Sequence, residues 1–211
     1  MAANTRIMTV TMEIEGVRGK RIMQSKIWTQ GDSRSFTEYL APAREKGTKM
    51  LKLENQLWLF SPATDRVIQI SGHALRQSVM GSDMSYEDMM TDGSLLETYK
   101  AEVRGEAYIE GRKCWTMTLT ATKADVNYHT QHMWVDQERY VPLQIDLFAK
   151  SGKLLKRTTL SDIQKTQGRW FPHVMVYKDM LKKGKGTTLK INHIQFNAPI
   201  PAHVFNKSNL K

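Results

Sequence analysis

From Arg6 onward, apolar and polar residues alternate with a period of two. Met8, Val10, Met12 and Ile14 are separated by Thr9, Thr11 and Glu13, the pattern of a half-buried strand with one wet face. Turn signals at residues 16–19 (GVRG), at Gln30-Gly31-Asp32, at Pro42, at Glu54-Asn55 and at Ser61-Pro62 cut the first part of the chain into about six short strands, most joined by hairpin-length loops. Residues 72–93, GHALRQSVMGSDMSYEDMMTDG, break the alternation. There Leu75, Val79 and Met80 fall on one face at helical spacing. Ser85, with Asp88 three residues on, opens a second helical segment carrying Met89 and Met90, with Met84 just before it. The strand pattern then resumes in longer runs, of which Val141, Leu143, Ile145 and Leu147 form the clearest.

This adds up to about 12 or 13 strands, nearly all sequential neighbours, with no low-complexity linker between two halves. The expected fold is mainly β (α+β): a single domain over residues 1–211, built as an unclosed antiparallel β-barrel or strongly curved meander. Residues 72–93 form a helical insert in or across the mouth of the curl. The insert holds Met80, Met84, Met89 and Met90, four of the chain's 13 methionines. Flexible thioether side chains suit a lid over an apolar groove, and they equally suit an ordinary core plug.

Composition narrows the classes of function. Lys and Arg total 31 against 21 acidic residues, a net charge of +10, which favours anionic partners. The one dense run, Lys182, Lys183 and Lys185, sits in an expected turn; a solvated basic face is the simpler reading. The single cysteine, Cys114, excludes an internal disulfide and reads as a buried inert thiol. No run of apolar residues is long enough for a membrane-spanning helix. The chain enters a strand almost at once, as expected where a native signal peptide has been removed.

Catalytic signatures are missing: no G-x-S-x-G elbow, phosphate loop or dinucleotide fingerprint is found, and GKGTT at 184–188 leads into a strand. His129 and His132 fall on opposite strand faces and do not converge on a metal. No enzyme activity, catalytic residue, metal or cofactor is expected. Tryptophans flanked by apolar residues, as in Leu57-Trp58-Leu59-Phe60, read as core or cavity wall, so nucleic acid is not an expected partner.

Four stretches taken together, SFTEYLAPAREKGTKML, QLWLFSPATDRVIQI, RQSVMGSDMSYEDM and YVPLQIDLFAKSGKLLKRTTLSDI followed by Trp-Phe-Pro, resemble the outer-membrane lipoprotein-sorting proteins, relatives of the LolA and LolB carriers. The resemblance implies an unclosed barrel with helices over its apolar concave face, exported to the periplasm of a Gram-negative bacterium. It also implies a monomer that shelters acyl chains of lipoproteins or other lipids on the way to the outer membrane. An inner-membrane exporter or an outer-membrane acceptor would be its partner, with peripheral membrane contact. On this reading Leu75, Val79, Met80, Met84, Met89 and Met90 form the lid, hinged near Gly81 and Ser82, and Phe36, Leu40, Trp58, Phe60, Trp115 and Trp134 line the groove. In the carriers a buried arginine helps hold the lid shut; Arg44 and Arg66 are the candidates here. The alternative is a non-catalytic accessory domain of an envelope transport complex, its concavity filled by its own side chains.

Overall fold

The structure of the protein, a computed structural model, describes residues 4–16, 19–90 and 95–211. Thirteen strands follow in order: β1 (Thr5–Gly16), β2 (Gly19–Gln30), β3 (Arg34–Ala41), β4 (Lys49–Leu53), β5 (Gln56–Ser61), β6 (Arg66–Ile70), β7 (Tyr99–Ile109), β8 (Arg112–Ala121), β9 (Thr130–Asp136), β10 (Pro142–Phe148), β11 (Leu154–Thr166), β12 (Arg169–Asp179) and β13 (Gly186–Phe196). They make one 13-stranded sheet in the order β6-β5-β4-β3-β2-β1-β13-β12-β11-β10-β9-β8-β7. The order is linear with β6 and β7 at its ends, so the sheet is unclosed, as the alternation and turn spacing lead one to expect. By packing, the chain divides into two compact units, Met1–Gly93 with Leu189–Lys211, and Ser94–Thr188.

Over β3 to β5 both faces of the first unit's sheet are apolar, and each has its own cover. On one face β1 and β2 set Met12 opposite Met23, and β4 and β5 set Met50 opposite Leu59. These join Ile14, Tyr39 and Leu57 in a buried cluster. The neighbouring positions, one residue on, point to the other face because side chains alternate. There Phe36 lies opposite Leu51, Leu51 opposite Trp58, and both are sealed by Val204, Phe205 and Leu210 from two C-terminal 3₁₀ turns, Ala202–Phe205 and Lys207–Leu210. The second turn is tied down where Lys49 donates from Nζ to the Asn209 carbonyl at 2.9 Å.

The insert covers the first face. It is built less as helix than its spacing suggests: a 3₁₀ turn at Gly72–Arg76, another at Val79–Gly81, and one α-helical turn, α1 (Tyr86–Met89). The helical period fails because Gly72, Met80 and Gly81 all adopt left-handed backbone (φ 54°, 51° and 75°), which a continuing right-handed helix does not permit. A bridge between Ser78 and Ser85 doubles the insert back on itself, with Val79 N–H donating to the Met84 carbonyl at 2.8 Å. The Ser85 signal, by contrast, forms a capping box: Asp88 N–H donates to Ser85 Oγ at 3.3 Å, and Ser85 N–H to Asp88 Oδ2 at 2.7 Å. The end of the expected insert, residues 91–93, lies outside the described residues.

The second unit comprises the short helix α2 (Leu95–Thr98) and β7 to β12, with the start of β13. Its small buried cluster holds Cys114, Val141 and Leu143, with Ile109, Trp134 and Ile163 against it. Two ion pairs knit its strands. Arg112 reaches the fully buried Asp136 through Nε at 2.6 Å and through its second nitrogen at 3.1 Å. Arg157 holds Asp146 the same way, at 2.7 and 2.6 Å.

Candidate functional site

The insert meets the sheet through its apolar side chains. Val79 and Tyr86 are buried in the same cluster as Met12, Met23, Met50 and Leu57, and Leu75, Met80, Met89 and Met90 pack against it partly buried. The structure therefore brings together five of the six expected lid residues on one face; Met84 is half-buried beside the turn. Burial pushes the hydroxyls of Tyr39 and Tyr86 up from their ordinary range. Both remain neutral phenols at the base of the insert.

The arginine that touches the insert is neither Arg44 nor Arg66. Arg44 bonds its neighbour Glu45 at 3.0 Å in the open, and Arg66 is exposed at the start of β6. Arg21, on β2, donates instead to the Met80 carbonyl at 2.9 Å. Gly81 makes the close approach possible. A Cβ there would stand 2.7 Å from the Arg21 guanidinium, and its φ of +75° already disfavours a side chain. Arg21 is exposed rather than buried. Its partner is a backbone carbonyl, which leaves no mark in a sequence. The one sequence signal beside it is Gly81, half of the hinge expected near Gly81 and Ser82.

The expected groove lining is scattered. Phe36, Trp58 and Phe60 belong to the other face of the first unit, under the C-terminal turns, and Leu40 is 41% exposed. None of the four faces the insert's methionines. The physical reason is parity. In Leu57-Trp58-Leu59-Phe60 both alternating sets are apolar, so the sequence does not say which set turns toward the insert. A cleft of about 570 Å³ opens on the side of the C-terminal turns, lined by Arg34, Leu53, Glu54, Asn55, Gln56, Ala202 and Phe205; none of the expected lining residues borders it.

Within the second unit, Trp115 and Trp134 also point to opposite faces, since Trp115 lies across from Val135 and Thr116 from Trp134. Trp134 packs beside Cys114. Trp115 stacks on the exposed Tyr140 at 5.7 Å and shares its face with a row that strand register defines: Val103, Met117, Met133, Ile145, Thr158 and Tyr177. Leu147, Leu160 and Met175 flank the row. Apart from the open Val103, these side chains are half-buried. The opposite face carries a polar row, with Thr118, His132, Asp146, Arg157 and Lys178 in register, beside the small cluster of Cys114 and Trp134. The second unit thus presents a largely apolar face six strands wide that its own side chains do not seal, of which the sequence pointed to Trp115 alone.

The chemistry of the remaining groups is structural. The Cys114 thiol is fully buried, and burial, then the charge of Asp136, pushes it up and away from reactivity. Burial also works to raise Asp136, but hydrogen bonds from Arg112 and from the backbone N–H groups of Glu138 and Arg139 prevail and hold its carboxyl at about 2. Among the described residues no group of three or more His, Cys, Asp or Glu is placed to hold a metal ion, and no helix is long and apolar enough to cross a membrane.

Comparison with known proteins places this geometry. No curated protein matches the chain. Its fold is that of three solved structures. A domain described as an outer membrane lipoprotein-sorting protein from Vibrio parahaemolyticus is similar at 22% identity and TM-score 0.84, over 98% of this chain and 91% of that one. A DUF1329 family protein from Desulfovibrio piger ATCC 29098 is 22% identical at TM-score 0.90, over 100% and 92%. A LolA superfamily protein from Nitrosomonas europaea is 20% identical at TM-score 0.79, over 99% and 93%. A family model described as "-like: Uncharacterized protein" matches residues 31–211, and the chain belongs to that family.

Proposed function

We propose that the protein is a periplasmic carrier that shelters the acyl chains of lipoproteins, or of other lipids, during their transfer toward the outer membrane of a Gram-negative bacterium. The observation that carries this reading is the unsealed apolar face of the second unit, with Trp115, Met117, Met133, Ile145, Leu147 and Met175 half-exposed. Such a face in a soluble carrier is stabilised by cargo. Each acyl CH₂ removed from water contributes about 0.8 kcal/mol, so a wide apolar surface holds a diacyl anchor without any polar contact. The methionines suit chains of varied conformation. The insert acts as a lid over the first unit, with Leu75, Val79, Met80, Met89 and Met90 seated on the sheet and Arg21 latching the Met80 carbonyl. The fold shared with a lipoprotein-sorting domain and a LolA superfamily protein supports the assignment. An inner-membrane exporter or an outer-membrane acceptor would supply or receive the cargo.

The test is native mass spectrometry of protein purified from membrane-containing lysate, joined to displacement of a fluorescent fatty acid. Bound lipid, and displacement weakened by Met133→Glu or Ile145→Glu, is the expected result. No lipid under either condition overturns the proposal. It would leave the accessory-domain reading, which the insert's own side chains favour by filling the first unit's face.

A further inference from the structure

The second unit carries, at one end of its sheet, a feature that sheltering an acyl chain does not explain. The turn between β10 and β11, residues 149–153, and the turn between β12 and β13, residues 179–186, emerge at the same end of the β11–β12 pair. Lys156 lies opposite Asp179 in the ladder, and Met180 N–H donates to the Leu155 carbonyl at 2.9 Å. These two turns contain Lys150, Lys153, Lys182, Lys183 and Lys185 and only one carboxylate, Asp179. All five lysines are exposed. At the crest of the second turn Leu181 is 59% and Met180 40% exposed.

The second turn is a shaped hairpin. Asp179 accepts the Leu181 N–H at its Oδ1 at 3.0 Å, which fixes the two apolar residues at the tip. Lys178 Nζ donates to the Lys182 carbonyl. Gly186 closes the turn with φ +100°, where a Cβ would meet the Tyr177 carbonyl oxygen at 2.5 Å, so no other residue fits this geometry. The one carboxylate is thereby engaged in holding the turn and also pairs with Lys182 at 3.5 Å, while all five lysines stay exposed.

We infer that this end of the second unit docks on an anionic phospholipid surface, with Leu181 and Met180 entering the interface and the lysines of both turns lying among the headgroups. Charge complementarity selects an anion. The exposed apolar tip selects a bilayer over an acidic protein or a nucleic acid, because Leu and Met gain nothing from a hydrated polyanion and gain transfer free energy from an acyl boundary. Docking requires no cargo, so it stands or falls separately from the carrier reading.

The test is co-sedimentation of the full chain with vesicles of phosphatidylglycerol in phosphatidylcholine and with vesicles of phosphatidylcholine alone, at low and raised salt. Binding to the first only, weakened by salt, is expected. The triple variant Lys182→Gln, Lys183→Gln, Lys185→Gln should lose roughly 100-fold in apparent affinity, since each interfacial lysine contributes about fivefold. Leu181→Ser should lose roughly tenfold. Circular dichroism melts that match the parent keep both results interpretable, because these side chains are exposed. Absence of vesicle binding, binding indifferent to Leu181→Ser, or equal retention by heparin and by vesicles would overturn the inference.

Discussion

The two units stabilise the same kind of antiparallel ladder in opposite ways. In the first, both faces of β3 to β5 are apolar and both are covered, one by the insert and one by the C-terminal turns. In the second, one face joins a small buried cluster to the cross-linking pairs Arg112–Asp136 and Arg157–Asp146, while the wider apolar face stays half-exposed. A sheet that leaves a greasy face open cannot rely on burial of that face for its stability. Here paired charges and ladder hydrogen bonds take over part of that work, and the face stays available. The first unit shows the converse, where the insert and the C-terminal turns fill the apolar faces with the chain's own side chains.

The most severe way to break the comparison is at the second unit's buried charge. Asp136 is fully buried and bound bidentately by Arg112, which also reaches Glu138 at 2.7 Å. Asp136→Ala takes the acceptor away from Arg112 and from the backbone N–H groups of Glu138 and Arg139, so it should destabilise by about 4 kcal/mol, read as a lowered urea midpoint. The equivalent strike on the first unit is Leu210→Ala. Leu210, the last residue of the second C-terminal turn, is completely buried against the sheet, and a Leu-to-Ala cavity there should lower stability by about 3 kcal/mol. If Asp136→Ala proved neutral while Leu210→Ala did not, the contrast drawn between charge and burial would collapse.

Acid sharpens the same contrast with a smaller effect. Asp136 has its folded value depressed to about 2 from an ordinary 3.8. Its stabilisation is therefore fully present above the ordinary value and is lost as pH falls through the folded one. The loss amounts to about 2 kcal/mol between pH 5 and pH 2, and it should appear in urea titrations of the parent and be absent in Asp136→Asn.

These elements also show what a sequence discloses. The strand ladder was legible because turns such as Glu54-Asn55 and Gln167-Gly168 punctuate a steady period of two. The capping box at Ser85 was legible because it is a local hydrogen-bond arrangement. The face assignments were not. Trp58 and Leu57 are both apolar neighbours, and which one meets the insert depends on strand parity and on chain segments about 150 residues away in the sequence, at Val204 to Leu210. The 72–80 segment read as helix because periodicity does not register the left-handed backbone at Met80. The second unit's apolar row was half legible. Met117 and Met133 alternate correctly within their own strands, but only the register sets them side by side.

The smallest effect on stability carries the sharpest test of the cover. Arg21 is exposed, and its bond to the Met80 carbonyl is a single contact at 2.9 Å. Arg21→Ala should therefore shift stability by no more than about 1 kcal/mol. If the insert opens about the Met80-Gly81 step, losing that contact raises the population of the open form by up to roughly fivefold, since 1.4 kcal/mol corresponds to a factor of ten. Fluorescent fatty-acid uptake should then accelerate by a similar factor with the urea midpoint almost unchanged. Gly81→Ala should speed uptake too, because its Cβ displaces the guanidinium, but with a lowered urea midpoint as well, since its backbone resists φ +75°. Uptake as slow in both variants as in the parent would mean that the insert is a fixed part of the first unit's core. The two units would then differ only in where their permanent packing lies.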